Sequence, residues 1–467
     1  MSDASFFNWA LRRAANFRSA RSGNVAVIFA FSLVPLLLFV GAAVDYTRAN
    51  TARTAMQEAL DSAALMLSKD VNGLSQADMQ TKGEAYFKAL YTDPAAQNIS
   101  VKVTYTASTT AGSTLTMSGS GEMPTDFMYM AGYNTLDFGA SSTTVWGTTK
   151  LRVALVLDNT GSMSSANKMS ALKTAAKSLL TQLQQAASKD GDIYVSIVPF
   201  AKDVNVGPSN VSAKWLRWDL GTCTSTVKKS TVTQGFMTQA DCNKISNSSW
   251  SKTNSSGWTG CVSDRDMDYD TMSTAPNTSK ATATAATDRA TQFPAENYSA
   301  CPAQLMPMSY DWSQLSSKID AMNPTGNTNQ AIGLAWGWQS LLQQSPLNSP
   351  AEDSNFKYRR VIILLSDGDN TQDRYYDQSL SSNYVSQIDA RQKKLCDNIK
   401  APTDPKTNQP MYTIYTIQVN TANDNTSPVM SYCASSTDTY FSTTTAAGIN
   451  TAFSAIGASL SKLRVAQ

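Results

Sequence analysis

The chain has 467 residues, and at roughly 150 residues per domain this length suggests material for about three domains. Its formal net charge is +2, and it has neither a long basic stretch nor a base-reading motif, which argues against nucleic-acid binding. The absence of histidine excludes Ser-His-Asp and Cys-His catalysis, histidine general bases and His-ligated zinc. Few enzyme mechanisms remain.

The first predicted element is a membrane span. Residues 24–44 read "NVAVIFAFSLVPLLLFVGAAV", which is long enough to cross a hydrocarbon layer of ~30 Å as one helix. Four arginines precede it: Arg12, Arg13, Arg18 and Arg21. Because the flank of a membrane span that is richer in Lys and Arg usually stays in the cytoplasm, we expect residues 1–23 in the cytoplasm and the rest of the chain outside. The alternative is a cleaved signal peptide, but the run exceeds the usual apolar core of ~7–15 residues and no A-x-A site follows it cleanly.

Residues 45–148 predict a small α+β module attached to this anchor. Helical spacing continues through "YTRANTARTAMQEALDSAALMLSKD", and a second helix is indicated around "QADMQTKGEAYFKAL". Alternating strands follow in "ISVKVTYTAS" and "STLTMSGSG", and the last ends near "SSTTVWG". The first helix therefore predicts a stalk that carries the module.

Residues 149–467 alternate between strand and helix. Apolar strands are indicated at "RVALVL", "IYVSIVPF", "RRVIILLS" and "YTIYTIQV", with amphipathic helices between them and after the last. Such runs predict an α/β fold with a doubly wound, mostly parallel sheet covered on both faces. Ligands of such sheets bind outside the carboxyl ends of the strands.

An insert at about 203–311 interrupts this rhythm and is rich in Ser, Thr and Asn. Six cysteines beyond the membrane favour disulfides over a metal cluster. Four of them fall in the insert, Cys223, Cys242, Cys261 and Cys301, and predict two bridges with three possible connectivities. Cys396 and Cys433 predict a third bridge. The insert is expected to be rich in loops and held by its disulfides.

The insert also carries tryptophans, at Trp215, Trp218, Trp250 and Trp258. They either form a recognition surface or fill a small core of the insert itself, and the second interpretation is favoured. Trp336 and Trp338 are expected to pack a helix behind the polar loops described next.

Two polar loops follow predicted strands. Asp158, Thr160 and Ser162 lie in "DNTGS", Asp367 lies in "LLSDG", and Thr328 lies in "GNTNQ" before a helix. Oxygen donors without histidine or thiol suit a hard divalent cation, Mg²⁺ above all, with Mn²⁺ or Ca²⁺ as alternatives. The same residue types also serve as turn and helix-capping residues, and either loop taken alone favours that role. Asp369 is expected to be a solvated turn residue.

The three parts together resemble the metal-ion-dependent adhesion site (MIDAS) of the von Willebrand factor A domain, which has the form D-x-S/T-x-S with a distant Thr and a distant Asp. This resemblance implies that Thr160, Ser162 and Thr328 hold Mg²⁺ while Asp158 and Asp367 act partly through water. One coordination position would stay open for the carboxylate of a partner protein.

The N-terminal stretch from "RSGNVAVIFAF" to "LDSAALML" resembles TadE/TadG-like proteins of the bacterial tight-adherence (Tad) pilus assembly system. This resemblance implies an inner-membrane protein with a single span and a cytoplasmic N-terminus. Most of the chain would lie in the periplasm, and its partners would be pilus or envelope components. It is similar to a prepilin too, but the fifth position after Gly23 is Ile28, where a processed pilin has Glu. A retained anchor is therefore preferred.

Three hypotheses of function remain at this point. The first is Mg²⁺-dependent binding of a protein with an acidic side chain, without catalysis. The second keeps the fold as a metal-independent structural anchor of the pilus machinery. The third is an aspartyl-phosphate hydrolase, because "DNTGS" resembles the D-K-T-G-T motif of P-type ATPases; Asn159 in place of Lys, and a single span, disfavour it. We expect no enzyme.

Overall fold

The computed structural model describes residues 23–71, 74–106, 113–146, 149–227, 230–279, 286–353, 356–404, 408–421 and 427–465. The four arginines and most of the predicted cytoplasmic tail lie outside the described residues. The chain divides into two compact units, residues 1–146 and 147–467, which are treated separately.

The first unit consists of a long helix, a shorter helix and a sheet. In chain order its elements are α1 (Gly23–Asp70), α2 (Gln76–Leu90), β1 (Gln97–Thr106), β2 (Ser113–Pro124) and β3 (Thr135–Trp146). The strands form an antiparallel sheet in the order β1-β2-β3. Helix α2 begins at a capping box, in which Ser75 and Asp78 satisfy each other's backbone N–H groups.

Helix α1 changes character along its length. Its large apolar side chains from Val27 to Val40 are exposed except that of Leu38, which is half-buried, whereas Ala52, Met56 and Leu60 are buried against the sheet. Among the described residues it is the one helix long and apolar enough to cross a membrane, a criterion that a signal sequence near the N-terminus also meets. The apolar N-terminal helix is confirmed, and its topology stays a prediction.

The second unit contains the remaining elements. Its strands are β4 (Thr149–Asp158), β5 (Ile193–Phe200), β6 (Val204–Asn205), β7 (Leu216–Arg217), β8 (Leu220–Val227), β9 (Ser230–Thr238), β10 (Ser248–Lys252), β11 (Cys261–Val262), β12 (Phe293–Pro294), β13 (Met306–Ser309), β14 (Lys357–Ser366), β15 (Tyr412–Val419) and β16 (Tyr440–Thr443). Its helices are α3 (Lys168–Ala186), α4 (Gln239–Cys242), α5 (Ala286–Ala290), α6 (Trp312–Asp320), α7 (Gln330–Leu341), α8 (Tyr384–Lys400), α9 (Pro428–Cys433) and α10 (Ala446–Val465).

An eight-stranded sheet is the centre of this unit, in the order β11-β6-β5-β4-β14-β15-β16 with β13 beside β5. Strands β5, β4, β14, β15 and β16 are parallel, whereas β6, β11 and β13 pair antiparallel. Alternate residues of β4 enter two separate cores, Val153 and Leu155 with α3 and α10, and Ala154 and Val156 with α7 and α8. The mixed α/β class with parallel strands is thus confirmed, with helices against both faces.

The insert has more regular structure than its sequence predicts. Strands β10, β8 and β9 form an antiparallel sheet, and β7 pairs with β12. Three further short strands, β6, β11 and β13, join the central sheet. These strands were not predicted, because they are short and lack long apolar runs, so their pairing depends on contacts distant in sequence. Much of the insert still lies in loops between them.

The disulfides resolve the connectivity that the sequence leaves open. Cys223 pairs with Cys242, Cys261 with Cys301, and Cys396 with Cys433. The first bridge joins β8 to α4 within the insert, the second ties β11 to the segment before β13, and the third joins α8 to α9.

Three of the insert's four tryptophans, Trp215, Trp218 and Trp258, belong to or pack against the core of the central sheet and do not fill a separate core of the insert. Trp215 packs edge-on against Trp336 of α7, with ring centroids 6.1 Å apart, and belongs to the core of the central sheet. Trp258 is 4% exposed and stacks edge-on with Trp218. Trp215 is also buried, so these two rings do not supply an exposed recognition surface. The indole of Trp250 donates to Met237 O within the insert.

Candidate metal-binding site

The first loop of the candidate site begins where β4 ends. Asp158 is the last residue of β4, and its Oδ1 accepts hydrogen bonds from the backbone N–H of Thr160 at 2.8 Å and from Thr160 Oγ1 at 2.5 Å. The Asp158 side chain thus accepts a hydrogen bond from the backbone two residues later, a pattern that is common for Asp in turns. Thr160 Oγ1 lies 3.0 Å from Ser162 Oγ, so the loop gathers its three polar side chains at one place.

The second loop meets the first because β14 lies parallel to β4. The register pairs Leu365 with Leu157, which puts Ser366 beside Asp158. Ser366 Oγ donates to Asp158 Oδ2 at 2.6 Å, and Ser162 Oγ donates to Asp367 Oδ1 at 2.7 Å. Four of the five predicted ligands, Asp158, Thr160, Ser162 and Asp367, therefore belong to one chain of hydrogen bonds.

Thr328 lies in the third loop, directly before α7. The hydrogen bonds that tie it to this edge of the sheet run through its backbone: its N–H donates to Thr371 Oγ1 at 2.8 Å, and its carbonyl accepts from Thr371 N at 2.8 Å. The third loop also bonds the first loop directly, since Gly161 N donates to Gly326 O at 3.0 Å. The loop of Thr328 is thus joined to the cluster, although its hydroxyl is not part of the hydrogen-bond chain described above.

The cluster also contains a cation that the sequence analysis missed. Lys168, the first residue of α3, forms an ion pair with Asp367 through Nζ and Oδ2. Both side chains are buried, with exposures of 7% for Lys168 and 0% for Asp367. A lysine that opens an amphipathic helix is normally solvated, so the sequence carried no signal for this contact.

Ser366 was also missed, and here the sequence did hold a signal. It directly precedes Asp367 in "LLSDG", and it is the first polar residue after a run of apolar strand residues. Fully buried beside Asp158, it supplies a hydrogen bond that holds one carboxylate oxygen in place.

Burial dominates the electrostatics of the site. Burial and, after it, the nearby charge of Asp367 raise the pKa of Asp158 to about 7, although hydrogen bonds from Ser366 and Thr160 act in the opposite direction. The site holds two buried carboxylates and one buried ammonium, and this charge balance favours an additional positive charge, either a proton or a metal ion.

The donor set fits a hard divalent cation. Thr160 Oγ1 and Ser162 Oγ lie within donating distance of the carboxylates of Asp158 and Asp367, and when both protons go to those carboxylates the lone pairs of the two hydroxyls are free to face a cation. Throughout the described ranges no group of three or more His, Cys, Asp or Glu residues could hold a metal. An ion here would therefore combine two carboxylates with neutral hydroxyls and water, a ligand set that Mg²⁺ accepts. Asp158, Thr160, Ser162 and Asp367 would hold it, and the ion would supply a Lewis-acidic position for an incoming anion.

The turn and capping roles also exist. Asp158 stabilises its own turn, and Asn329 caps α7 by accepting from Ile332 N at 3.2 Å. Asp369, for which no metal role is predicted, is exposed.

Comparison with known proteins gives one family match, which covers the N-terminal part. Residues 23–66 match the family described as putative Flp pilus-assembly TadE/G-like. This segment corresponds to most of α1. A comparison with the curated proteins finds no match.

Solved structures with a similar arrangement include pilus adhesins, at low similarity. The chain is 12% identical to the pilus adhesin SpaC from Lactobacillus rhamnosus GG, covering 80% of this chain and 36% of that one, with a TM-score of 0.34. It is 10% identical to the vWF domain of the type V pili tip protein Mfa5 from Porphyromonas gingivalis, covering 68% of this chain and 97% of that one, with a TM-score of 0.33. It is 14% identical to proximal thread matrix protein 1 from the mussel byssus with a zinc-occupied MIDAS motif, covering 68% and 46%, with a TM-score of 0.30. The chain thus spans about a third of the length of SpaC.

Proposed function

We propose that this protein is a membrane-anchored component of a bacterial Tad-type pilus assembly or adhesion machine, and that it binds a protein partner through a Mg²⁺-dependent adhesion site. The match of residues 23–66 supports the pilus assignment. The metal-dependent part depends on one observation: Asp158, Thr160, Ser162 and Asp367, from loops some 200 positions apart, form a single hydrogen-bonded cluster at the ends of two parallel strands.

The proposed chemistry is recognition without a covalent step. A Mg²⁺ ion held by neutral hydroxyls and two carboxylates keeps part of its positive charge and prefers an incoming carboxylate to a neutral ligand. An Asp or Glu of the partner would complete its coordination. Exposed residues of the surrounding loops would contact the partner's neighbouring residues.

The location follows from the apolar helix. We assign the chain to the bacterial inner membrane with a single pass, a cytoplasmic N-terminus and a periplasmic bulk. The exposed apolar side chains of α1 from Val27 to Val40 and the run of arginines before it support this topology. Disulfides in the second unit suit an oxidising compartment.

Calorimetric titration of the full chain in detergent with Mg²⁺ and Mn²⁺ tests the metal site. Asp158→Ala is expected to abolish a saturable binding of about one equivalent, whereas Asp369→Ala, an exposed aspartate of the neighbouring loop, is expected to leave it unchanged. Co-purification from envelopes of the source bacterium then tests the function. Pilus components are expected to stay with the wild type in Mg²⁺ and to be lost in EDTA or with Asp158→Ala.

A metal-independent anchor is the second candidate, and a specific contact favours it. The ion pair of Lys168 with Asp367 already neutralises one of the two carboxylates without a metal. Under this candidate, the same partners would be retained in EDTA and by the Asp158→Ala variant.

A further inference from the structure

The loop between β2 and β3 exposes four large apolar side chains. Their exposed fractions are 44% for Phe127, 57% for Tyr129, 71% for Met130 and 61% for Tyr133. The loop contains a short 3₁₀ helix, Met128–Ala131. So many exposed large apolar side chains in one short loop are typical of a surface that contacts a membrane or another protein.

This loop is fixed to helix α1 at one level. Asp45 is 1% exposed, and its carboxylate accepts the backbone N–H groups of Asp126 at 2.9 Å, Phe127 at 2.9 Å and Met128 at 2.7 Å. Phe127 packs directly on Gly41, since a Cβ at Gly41 would lie 2.4 Å from Phe127 Cβ. Three charge-assisted hydrogen bonds and a close aromatic contact hold the loop against this turn of the helix.

That turn is the end of the apolar stretch. Gly41 lies within residues 24–44, and Asp45 is the first charged residue after them. Because a helix rises about 1.5 Å per residue, the loop lies beside the last ~6 Å of the apolar segment. A membrane that encloses this segment must reach the loop.

The side chains of this loop suit the interface between the bilayer and water. Tyrosine side chains concentrate at membrane interfaces, where the ring is in contact with acyl chains and the hydroxyl reaches water. Tyr46, on α1 at the same level, is 69% exposed. A cavity of about 570 Å³ also opens here along α1, and Val40, Val44 and Met123 contribute apolar lining.

We infer that the loop from Phe127 to Tyr133 is a second membrane contact, which inserts its apolar side chains into the outer headgroup region of the bilayer that α1 spans. This inference rests on the proposed membrane span. Together the helix and the loop give the first unit two points of attachment, which sets the rotation of α1 about its axis. A lone span leaves that rotation free.

Site-specific fluorescence tests this contact in the full chain reconstituted in phospholipid nanodiscs. The six native cysteines are paired, so a single introduced cysteine carries the environment-sensitive dye. The labelled variants are Met130→Cys in the loop, Phe31→Cys within the span, and Thr81→Cys as the control. Thr81 is exposed on α2, next to Lys82, which pairs with Asp70 at the far end of α1.

Lipids with a quencher near the headgroup are expected to quench the dye at position 130 at least about twofold more than at position 81, and aqueous iodide is expected to show the reverse order. Lipids with a quencher near the chain end are expected to quench the dye at position 31. Equal iodide access at positions 130 and 81, with position 31 in lipid, would overturn the loop contact and leave the span intact. Protection of position 130 from both quenchers would overturn it in favour of a protein contact, such as a second copy. If the lipid quencher does not quench the dye at position 31, both the proposed membrane span and the proposed loop contact are refuted.

Discussion

Replacing Lys168 with methionine is expected to tighten the binding of Mg²⁺ at the candidate site. The ammonium of Lys168 is paired with Asp367, one of the carboxylates that would hold the ion. An incoming Mg²⁺ is therefore repelled by a neighbouring positive charge and competes with it for the same oxygen atoms. Methionine has a similar length and no charge, so it removes the competitor with little loss of packing.

The size of the expected gain in Mg²⁺ affinity follows from the burial of Lys168 and Asp367. A lysine ammonium and a divalent ion ~4 Å apart repel each other by about 8 kcal/mol at an effective dielectric constant of ~20, twice the value for two unit charges. Lysine can swing away on its flexible stem, so only part of this repulsion persists once the metal is bound. We expect a gain of about 1.4–2.8 kcal/mol, or roughly 10–100-fold in affinity. Without metal, the same variant is expected to lose about 3–5 kcal/mol of folding stability, because Asp367 stays buried without its partner.

Calorimetry with Mg²⁺ and thermal unfolding with and without the ion measure both effects. Lys177→Met is the matched control, since it removes the same charge from the same helix at a partly exposed pair with Asp320. Mg²⁺ is expected to raise the melting temperature of Lys168→Met by more than that of either the wild type or the control. Equal Mg²⁺ affinity in Lys168→Met and the wild type would refute the idea that the lysine competes with the metal.

Three further perturbations test the electrostatics and the packing. The pKa of Asp158 is raised from 3.8 to about 7, so a proton competes with the metal for this carboxylate. The affinity for Mg²⁺ should therefore fall up to tenfold per pH unit below about pH 7. An affinity that calorimetry finds unchanged from pH 5 to 8 would contradict this. By linkage the same group favours folding at low pH, and this contribution is lost as the pH rises from about 4 through about 7. Removing the bridge between Cys396 and Cys433, which are 37 positions apart, should cost about 4 kcal/mol in denaturant unfolding, and an unchanged midpoint would speak against it. Trp336→Ala should cost about 3–5 kcal/mol, far more than the part-exposed Trp250→Ala, and similar losses would argue against the packing described for the α7 core.

The parts of the fold that depend on local sequence pattern could be predicted. The apolar runs "IYVSIVPF" and "YTIYTIQV" coincide with β5 and β15, and "QADMQTKGEAYFKAL" coincides with α2. In each case a periodic run of side chains is long enough to specify one structure by itself. The short strands of the insert have no such run, and the pairing of β6, β11 and β13 with the central sheet depends on contacts that sequence alone does not specify.

The candidate site divides in the same way. Asp158, Thr160 and Ser162 come from one turn, so their convergence could be predicted from their spacing. The contacts of Ser366 with Asp158 and of Lys168 with Asp367 span 208 and 199 positions. They follow from the register of β14 on β4 and from the direction of α3, which are results of packing. For this reason the ion pair that competes with the proposed metal was not visible in the sequence.

The most direct test of the central claim is an anomalous difference map from crystals grown with Mn²⁺. A peak within coordination distance of the Thr160 and Ser162 hydroxyls, with Lys168 displaced from Asp367, is the result that the account predicts. A well-ordered cluster with no peak and with the Lys168–Asp367 pair intact at saturating Mn²⁺ would contradict it.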